Sequence, residues 1–203
     1  MDIELLVTVL DLVATFTFAF VGARIAANKG LDYGGIVLIA AVASLSGGTL
    51  RNLFLGQRPH WILHPWIFGT VILAVLITII GKQIGPVSRI VVSLDSIGLA
   101  VAGVSSAQFA ITHNAGVVGS IVLGVIGAIS GGLFRDLLCQ VEPVVLHRET
   151  IATATLAGCT LYALLNYWNI DPWLSAICGA FVIITVREIS IKFDINLPRV
   201  GKK

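Results

Sequence analysis

Long apolar stretches separated by short polar links dominate the pattern of this chain. Each stretch approaches the ~20 residues that a helix needs to cross a bilayer, and no stretch alternates as the strands of a membrane barrel do. The pattern therefore predicts an all-α membrane protein with seven transmembrane helices. The predicted spans cover about residues 4–26, 34–55, 67–80, 90–111, 116–138, 150–167 and 173–186.

Composition supports this class. The chain has 203 residues, of which 57% are hydrophobic and 12% charged, and its mean hydropathy is +0.96, well above the range of water-soluble domains. The first stretch has no basic segment before it and no small-residue cleavage site, so we interpret it as a retained helix. Cys139, Cys159 and Cys178 lack the spacing of metal ligands and are interpreted as reduced packing residues.

The distribution of basic residues predicts the orientation. If the N-terminus is outside, only Arg51 and Arg58 of the 13 Lys and Arg residues lie on the outer side, which satisfies the positive-inside rule. We therefore expect a multi-pass protein of the inner (plasma) membrane with a cytoplasmic C-terminus. The net charge of +2 reflects this topology and does not predict a nucleic-acid partner.

A sequence repeat organises the chain. The heptapeptide SGGTLRN at residues 46–52 recurs as SGGLFRD at residues 130–136, and residues 10–59 align on residues 94–143 without a gap. Each unit contains three predicted spans, so two tandem units insert with opposite orientations, the inverted-repeat plan of many transporters and some channels. The prediction is a single membrane domain, residues 1–203, made of repeat one (about 4–82), repeat two (about 90–167), a seventh helix (about 173–188) and a basic tail (189–203).

Inversion predicts one pair of opposite charges at each end of the bundle. Asp11 and Arg51 fall near the outer ends of their spans, and the equivalent Asp95 and Arg135 fall near the inner ends. Pairing would offset part of the cost of burying each charge, about 2.5–3.5 kcal/mol on insertion scales. Two interpretations remain open: static ion pairs that lock the spans, or charges that line or gate a water-filled path.

The glycine pairs of the repeat also have two interpretations. They predict broken helices in spans two and five, with free carbonyls at Ala128 to Ser130 that could coordinate a monovalent cation. They also suit close packing of small residues. Asp136 stands where repeat one has the neutral Asn52, so we expect the inner mouth to be more acidic. The predicted pore or gate residues are Ser46, Gly47, Gly48, Thr49, Arg51, Ser130, Gly131, Gly132, Arg135 and Asp136.

Motifs for catalysis and metal binding are absent from the sequence. The glycine pairs lack the lysine of a phosphate-binding loop. His60 and His64 are bracketed by prolines with no evident third ligand, so we expect no structural metal. We predict neither a cofactor nor an enzymatic activity.

The doubled Ser-Gly-Gly-x-x-Arg-Asn/Asp motif, with Asp11 and Asp95 in the spans before it, resembles the prokaryotic trimeric intracellular cation (TRIC) channels. This resemblance covers about residues 1–190 and implies a homotrimer with one pore in each protomer. It implies permeation of monovalent cations, mainly potassium, with sodium as the other candidate, and contact with membrane lipid. Animal members bind phosphoinositide through a motif with a lysine. Here Arg135 follows the glycines without a lysine, so an ordinary anionic lipid is expected instead.

The same broad family includes bacterial membrane proteins of the YadS type, which have been suggested to move glycine. The alternative function is therefore a secondary carrier for glycine or a similar small amino acid. In that case the helix N-terminus at Gly132 to Arg135 would hold the substrate carboxylate. A structural membrane subunit is the third interpretation.

Overall fold

The computed structural model describes residues 3–81, 89–142 and 150–193, and these residues form eight helices and no strands. The helices are α1 (Ile3–Asn28), α2 (Tyr33–Phe54), α3 (His60–Leu63), α4 (Ile67–Ile80), α5 (Arg89–Thr112), α6 (Gly116–Leu138), α7 (Thr150–Tyr167) and α8 (Pro172–Phe193). The predicted basic tail from residue 194 onwards lies outside the described residues, as do parts of the links after α4 and α6.

Two carboxylates mark helix starts. Asp32 precedes α2, and its side chain accepts a hydrogen bond from the Gly35 amide at 2.7 Å. The carboxylate of Asp171 accepts bonds from the first amides of α8 at 3.0 and 3.1 Å. Such caps satisfy amides that have no partner within the helix. Local chemistry therefore fixes where α2 and α8 begin.

The prediction of an all-helical membrane protein is confirmed. Seven of the described helices lie within a few residues of the predicted spans, and the short α3 is additional. Five of them, α1, α2, α5, α6 and α8, are long and apolar enough to cross a membrane, whereas α4 is a shorter apolar helix. The largest boundary difference is in α8, which continues to Phe193 rather than ending near residue 186.

The helices α2 and α6 are not broken at the glycine pairs. Residues 33–54 and 116–138 are continuous α-helix, including Gly47, Gly48, Gly131 and Gly132. The predicted break is therefore not present in this structure. The physical reason is that one glycine of each pair, Gly47 and Gly131, serves a close helix crossing, which needs the absence of a side chain and not a change of backbone direction.

The two repeats are inverted relative to each other. The Ser105 hydroxyl of α5 donates to Asp11 of α1 at 2.5 Å, and a Cβ atom on Gly98 of α5 would lie 2.8 Å from Thr17 Oγ1 of α1. Increasing numbers along α1 thus meet decreasing numbers along α5. These equivalent helices are antiparallel, as expected for repeat units that each contain an odd number of spans.

The helices α2 and α6 cross at the centre of this arrangement. A Cβ atom on Gly47 would overlap the carbonyl oxygen of Gly127, and one on Gly131 would overlap the carbonyl oxygen of Ala43. Residue 127 is the repeat equivalent of 43, and 131 is the equivalent of 47. The two contacts therefore exchange under the repeat symmetry, which places a pseudo-twofold axis at the crossing.

The buried apolar residues form two groups around this crossing. One group joins α1, α5, α6, α7 and α8 and includes Phe18, Leu99, Tyr162 and Ile183. The other joins α1, α2 and α4. Large apolar side chains also cover the outside of the bundle, for example Ile80 and Val118 at 75% and 74% exposure. A surface of this kind suits contact with lipid.

The crossing predicts opposite effects for two glycine-to-alanine changes. Gly131→Ala should lower thermal stability in detergent by the equivalent of about 1–3 kcal/mol, because the new methyl group must push the α2 backbone away. Gly69→Ala in α4 is the matched control, since a Cβ atom there meets nothing within 4 Å. The control should be neutral or gain up to about 1 kcal/mol from helix propensity. Equal melting temperatures for the two variants would contradict the backbone contact.

Candidate functional site

A first charge cluster consists of Asp11, Arg51, Asn52 and Ser105. The Arg51 guanidinium donates through Nη2 and Nη1 to the two carboxylate oxygens of Asp11 at 3.0 and 3.1 Å, the bidentate geometry of a strong charge-assisted pair. Its Nε donates to Asn52 Oδ1 at 3.0 Å, and Nη1 also reaches Ser105 Oγ at 3.2 Å. Each donor nitrogen of Arg51 is therefore engaged.

A second charge cluster consists of Asp95, Arg135, Asp136 and Arg187. Arg135 donates through Nη1 to Asp95 Oδ1 at 2.6 Å and through Nε to Asp136 Oδ1 at 2.8 Å. Arg187 of α8 reaches the other oxygen of Asp95, Oδ2, at 3.5 Å. The four side chains form a chain in which acidic and basic groups alternate.

The two clusters lie at opposite ends of the bundle. Asp11 and Asp95 stand at equivalent places in the first halves of α1 and α5, and these helices are antiparallel. Arg51 and Arg135 likewise stand at the equivalent ends of α2 and α6. The structure thus brings together each Asp–Arg pair for which the sequence gives a reason, one at each mouth.

Burial makes these pairs important for stability. The side chains of Arg51 and Arg135 are 1% and 4% exposed, whereas Asp11 and Asp95 are 22% and 14% exposed. Removing one partner of such a buried pair leaves an uncompensated charge, at a typical cost of about 3–5 kcal/mol. In each pair the carboxylate is the more accessible group, so the mouth presents its negative partner.

The expectation of a more acidic inner mouth is not supported by the composition of the clusters. Asp136 adds one negative charge relative to Asn52, but Arg187 adds one positive charge to the same cluster. The formal charges of each cluster therefore sum to zero. The sequence repeat could not indicate this balance, because α8 lies outside it.

The first charge cluster opens into a small cavity of about 50 Å³. It runs from Asp11 and Arg51 towards the helix crossing, where Gly47, Gly127 and Gly131 line it. Hydroxyl groups contribute to its wall. These are Thr15, Ser44, Thr49 and Ser106. Small and hydroxylated side chains leave space that water and a small ion can occupy.

The second charge cluster borders a smaller cavity of about 20 Å³, lined by Asp95, Arg135, Asp136 and apolar side chains. Phe18 of α1 lines both cavities and is 3% exposed. Its ring lies 3.6 Å from a Cβ atom built on Gly131 and 3.4 Å from one built on Gly98. A single aromatic side chain therefore stands between two cavities that end in charge clusters.

The predicted pore residues divide between these cavities. Gly47, Gly48, Thr49, Arg51 and Gly131 line the first, and Gly132, Arg135 and Asp136 line the second. Ser46 and Ser130 line neither, and the Ser130 hydroxyl donates within its own helix to the Ile126 carbonyl. Whether these residues carry permeating ions stays a prediction.

The expected cation site at the carbonyls of Ala128 to Ser130 loses its structural basis. These carbonyls lie inside the continuous helix α6, where each accepts the amide four residues later. The half-helix N-terminus expected at Gly132 to Arg135 is absent for the same reason. Free backbone groups are therefore not offered at this level to a cation or to a carboxylate.

Sequence reasoning missed several residues of the two clusters. Ser105 could not be identified from the repeat alignment, because its repeat equivalent is the apolar Val21. Arg187 follows the predicted end of the last span, residue 186, although it lies inside α8 with 2% exposure. A signal existed: Arg187 and Glu188 are charged residues within an otherwise apolar stretch.

Aromatic rings cover the first charge cluster. The Arg51 guanidinium lies 4.2 Å from the centroid of the Phe109 ring, a cation–π distance, and His113 stacks on Phe109 at 4.1 Å. His60 of α3 lines the first cavity and is half-buried. Burial lowers the pKa of His60 below its ordinary value, and the nearby Asp11 charge only partly opposes this effect. Within residues 3–81, 89–142 and 150–193, no cluster of three or more His, Cys, Asp or Glu residues could hold a metal ion.

Comparison with known proteins gives a consistent result. The family model described as "Glycine transporter" matches residues 8–83 and again residues 92–167, an offset equal to that of the sequence repeat. A UPF0126 membrane protein of Deinococcus radiodurans is 30% identical over 193 residues, which cover 93% of this chain and 89% of the relative. The UPF0126 inner membrane protein YadS of Escherichia coli is 28% identical over 204 residues, with 96% of both chains covered.

Solved structures agree. The TRIC channel orthologue from Rhodobacter sphaeroides superposes with a TM-score of 0.88 at 31% identity, covering 93% of this chain and 98% of that one. A second TRIC cation channel structure gives 0.85 at 27% identity, covering 97% and 98%. The resemblance inferred from the doubled motif is thereby confirmed. This chain belongs to the membrane-protein family that the matching model describes, which includes the prokaryotic TRIC channels and the YadS-type proteins.

Proposed function

We propose that this protein is a monovalent-cation channel, permeable to potassium, with one pore in each protomer of a homotrimer. The observation that carries the proposal is the full-length likeness to solved TRIC cation channels. These structures are of proteins described as TRIC channels, and the likeness extends over at least 93% of this chain. A channel is not an enzyme, so this function agrees with a sequence in which we find no catalytic motif.

The two cavities support a path through the protomer. They lie on either side of Phe18, and each is bordered by a pair of opposite charges. We propose that ions enter one cavity, pass the α2–α6 crossing and leave by the other. Phe18 is the barrier in the conformation described here, and its displacement would join the two cavities.

Electrostatics at the mouths favour a cation. The carboxylates of Asp11 and Asp95 are more exposed than the arginines that they neutralise. An approaching ion therefore meets the negative partner first. Hydroxyl groups in the first cavity can replace part of the water around an ion. The carbonyls of α2 and α6 at the crossing lie within continuous helices, so we expect modest discrimination between potassium and sodium.

We further propose seven membrane crossings, formed by all the described helices except α3. The N-terminus would lie outside and the C-terminus in the cytoplasm, as the distribution of Lys and Arg predicts. The first charge cluster would then face outward and the second inward. Anionic lipid at the inner surface is the expected lipid partner.

A glycine carrier is the second candidate, favoured by the description of the matching family model. Two observations weigh against it. Each guanidinium nitrogen of Arg51 donates to Asp11, Asn52 or Ser105, and Nη1 and Nε of Arg135 donate to two carboxylates. A substrate carboxylate would have to displace these partners. The unbroken α6 also offers it no free amides.

Reconstitution separates the two candidates. Purified protein in planar bilayers under a KCl gradient should give single-channel currents that reverse near the potassium equilibrium potential. Liposomes from the same preparation should show no saturable uptake of labelled glycine. Saturable glycine uptake without potassium current would refute the channel and establish the carrier, whereas reversal at the chloride potential would refute cation selectivity.

The barrier predicts a gain of current in Phe18→Ala. Removing the ring joins the two cavities, so the open probability or unitary current should rise severalfold in planar bilayers. Phe20→Ala is the matched control, because Phe20 lies on the same helix and packs against the other apolar group, with α2 and α4. Phe18→Leu should give an intermediate current, and it provides a second test if the alanine variant misfolds. Currents equal to wild type in both Phe18 variants would remove this residue from the path.

The position of His60 predicts a dependence on external pH. The pKa of His60 is lowered from its ordinary value of about 6.5. The imidazole is therefore neutral at pH 7 and gains a proton only when the pH falls below about 6.5. The added positive charge beside Arg51 and Asp11 should reduce cation current. His60→Gln should abolish the decrease, whereas His64→Gln, which removes the neighbouring imidazole, should retain most of it. A decrease that persists in His60→Gln would assign the titration to another group.

A further inference from the structure

The helix α8 contributes to the second mouth although it lies outside the repeat. Arg187 is buried, with 2% exposure, and its Nη2 reaches Asp95 Oδ2 on α5 at 3.5 Å. The α8 helix packs against α5 and α7. Its charged side chain is therefore directed at the charge cluster by the packing of the whole helix.

The two clusters share a similar set of contacts, although not every contact comes from an equivalent position. In the first, Asn52 contacts Arg51, Arg51 contacts Asp11, and Ser105 donates to Asp11. In the second, Asp136 takes the place of Asn52. Arg187 takes the place of Ser105 as the second donor to the aspartate. One change adds a negative charge and the other adds a positive charge, so they compensate each other.

The compensation alters the aspartate at the mouth. Asp95 has one oxygen on Arg135 and the other on Arg187, so guanidinium groups hold it from both sides. Asp11 has one guanidinium and one neutral hydroxyl. Asp95 is also the less exposed of the two, at 14% against 22%. Of the two aspartates, Asp95 is therefore the less able to attract a cation.

We propose that Arg187 controls cation entry at the second mouth: it balances Asp136, clamps Asp95, and so makes the second mouth attract cations less than the first. The part of this inference that concerns permeation rests on the proposed channel function. It gives α8 a defined electrostatic role at the pore. It also predicts that cation current depends on direction.

The test compares Arg187→Gln and Asp136→Asn, which each change the charge of the cluster by one, with the double variant. The double variant restores the neutral charge and recreates the Asp–Arg–Asn composition of the first cluster. Arg187→Gln should raise the current of cations that enter from the second mouth about threefold. A unit charge ~7 Å from an ion in water-like surroundings changes its energy by about one RT. Asp136→Asn should lower that current, and the double variant should return close to wild type.

Three controls separate charge from structure. Arg187→Lys retains the charge and should keep the wild-type rectification. Lys192→Gln removes a cation from the same helix, but Lys192 is exposed and lies over Phe193, so the current should not change. The effects of the series should shrink between about 0.1 M and 1 M salt, since the Debye length falls from ~10 to ~3 Å. An unchanged current–voltage relation in Arg187→Gln, or an effect that persists at high salt, would overturn the proposal.

A double-mutant cycle of thermal stability tests the coupling between Asp136 and Arg187 even if the wild-type protein conducts no cations. That result would refute the channel but leave the charge pairing open. Thermal unfolding in detergent of the same four proteins should then show each single variant destabilised and the double variant less destabilised than the sum of the two. Additive losses would mean that Asp136 and Arg187 are not coupled and would overturn the proposal on this ground as well.

Discussion

Contact between the backbones of α2 and α6 determines the geometry of the whole bundle. Gly47 and Gly131 allow each helix to rest on a carbonyl oxygen of the other, and the pseudo-twofold axis passes through this contact. Arg51 and Arg135 each follow their glycine by four residues, one helical turn, and so lie on the same helix face about 6 Å further along the axis. The crossing therefore directs one arginine towards each end of the protein.

Buried arginines then determine what the remaining helices must supply. A guanidinium with almost no exposure needs a carboxylate in contact, because an uncompensated charge in this environment would cost more than the fold could recover. The antiparallel helices α1 and α5 supply Asp11 and Asp95 at the right heights. Crossing, inversion and ion pairing are thus linked, and a shift of any one of them would leave a charge without its partner.

Much of this arrangement could be predicted from the sequence. The spans followed from hydropathy, and the inversion followed from an odd number of spans per repeat. The continuity of α2 and α6 could not be predicted, because glycine serves both helix breaks and close packing and the local sequence is the same for either use. Ser105 and Arg187 could not be derived from the repeat, because their equivalents are apolar or absent. Their roles depend on how helices pack, which a pairwise alignment of repeats does not contain.

Differences between the repeats determine whether the two directions of the proposed path differ, because a perfectly symmetric path would behave identically from both sides. The symmetric part is the crossing. The asymmetric parts lie along the proposed path: Phe18 stands where repeat two has Ala102, Asp136 where repeat one has Asn52, and Arg187 comes from a helix without a counterpart. In the proposed path, the first difference places the barrier off-centre, on the α1 side of the axis. The other two cancel in net charge while changing the environment of one aspartate, so direction-dependent behaviour can arise in a frame whose helices remain almost equivalent.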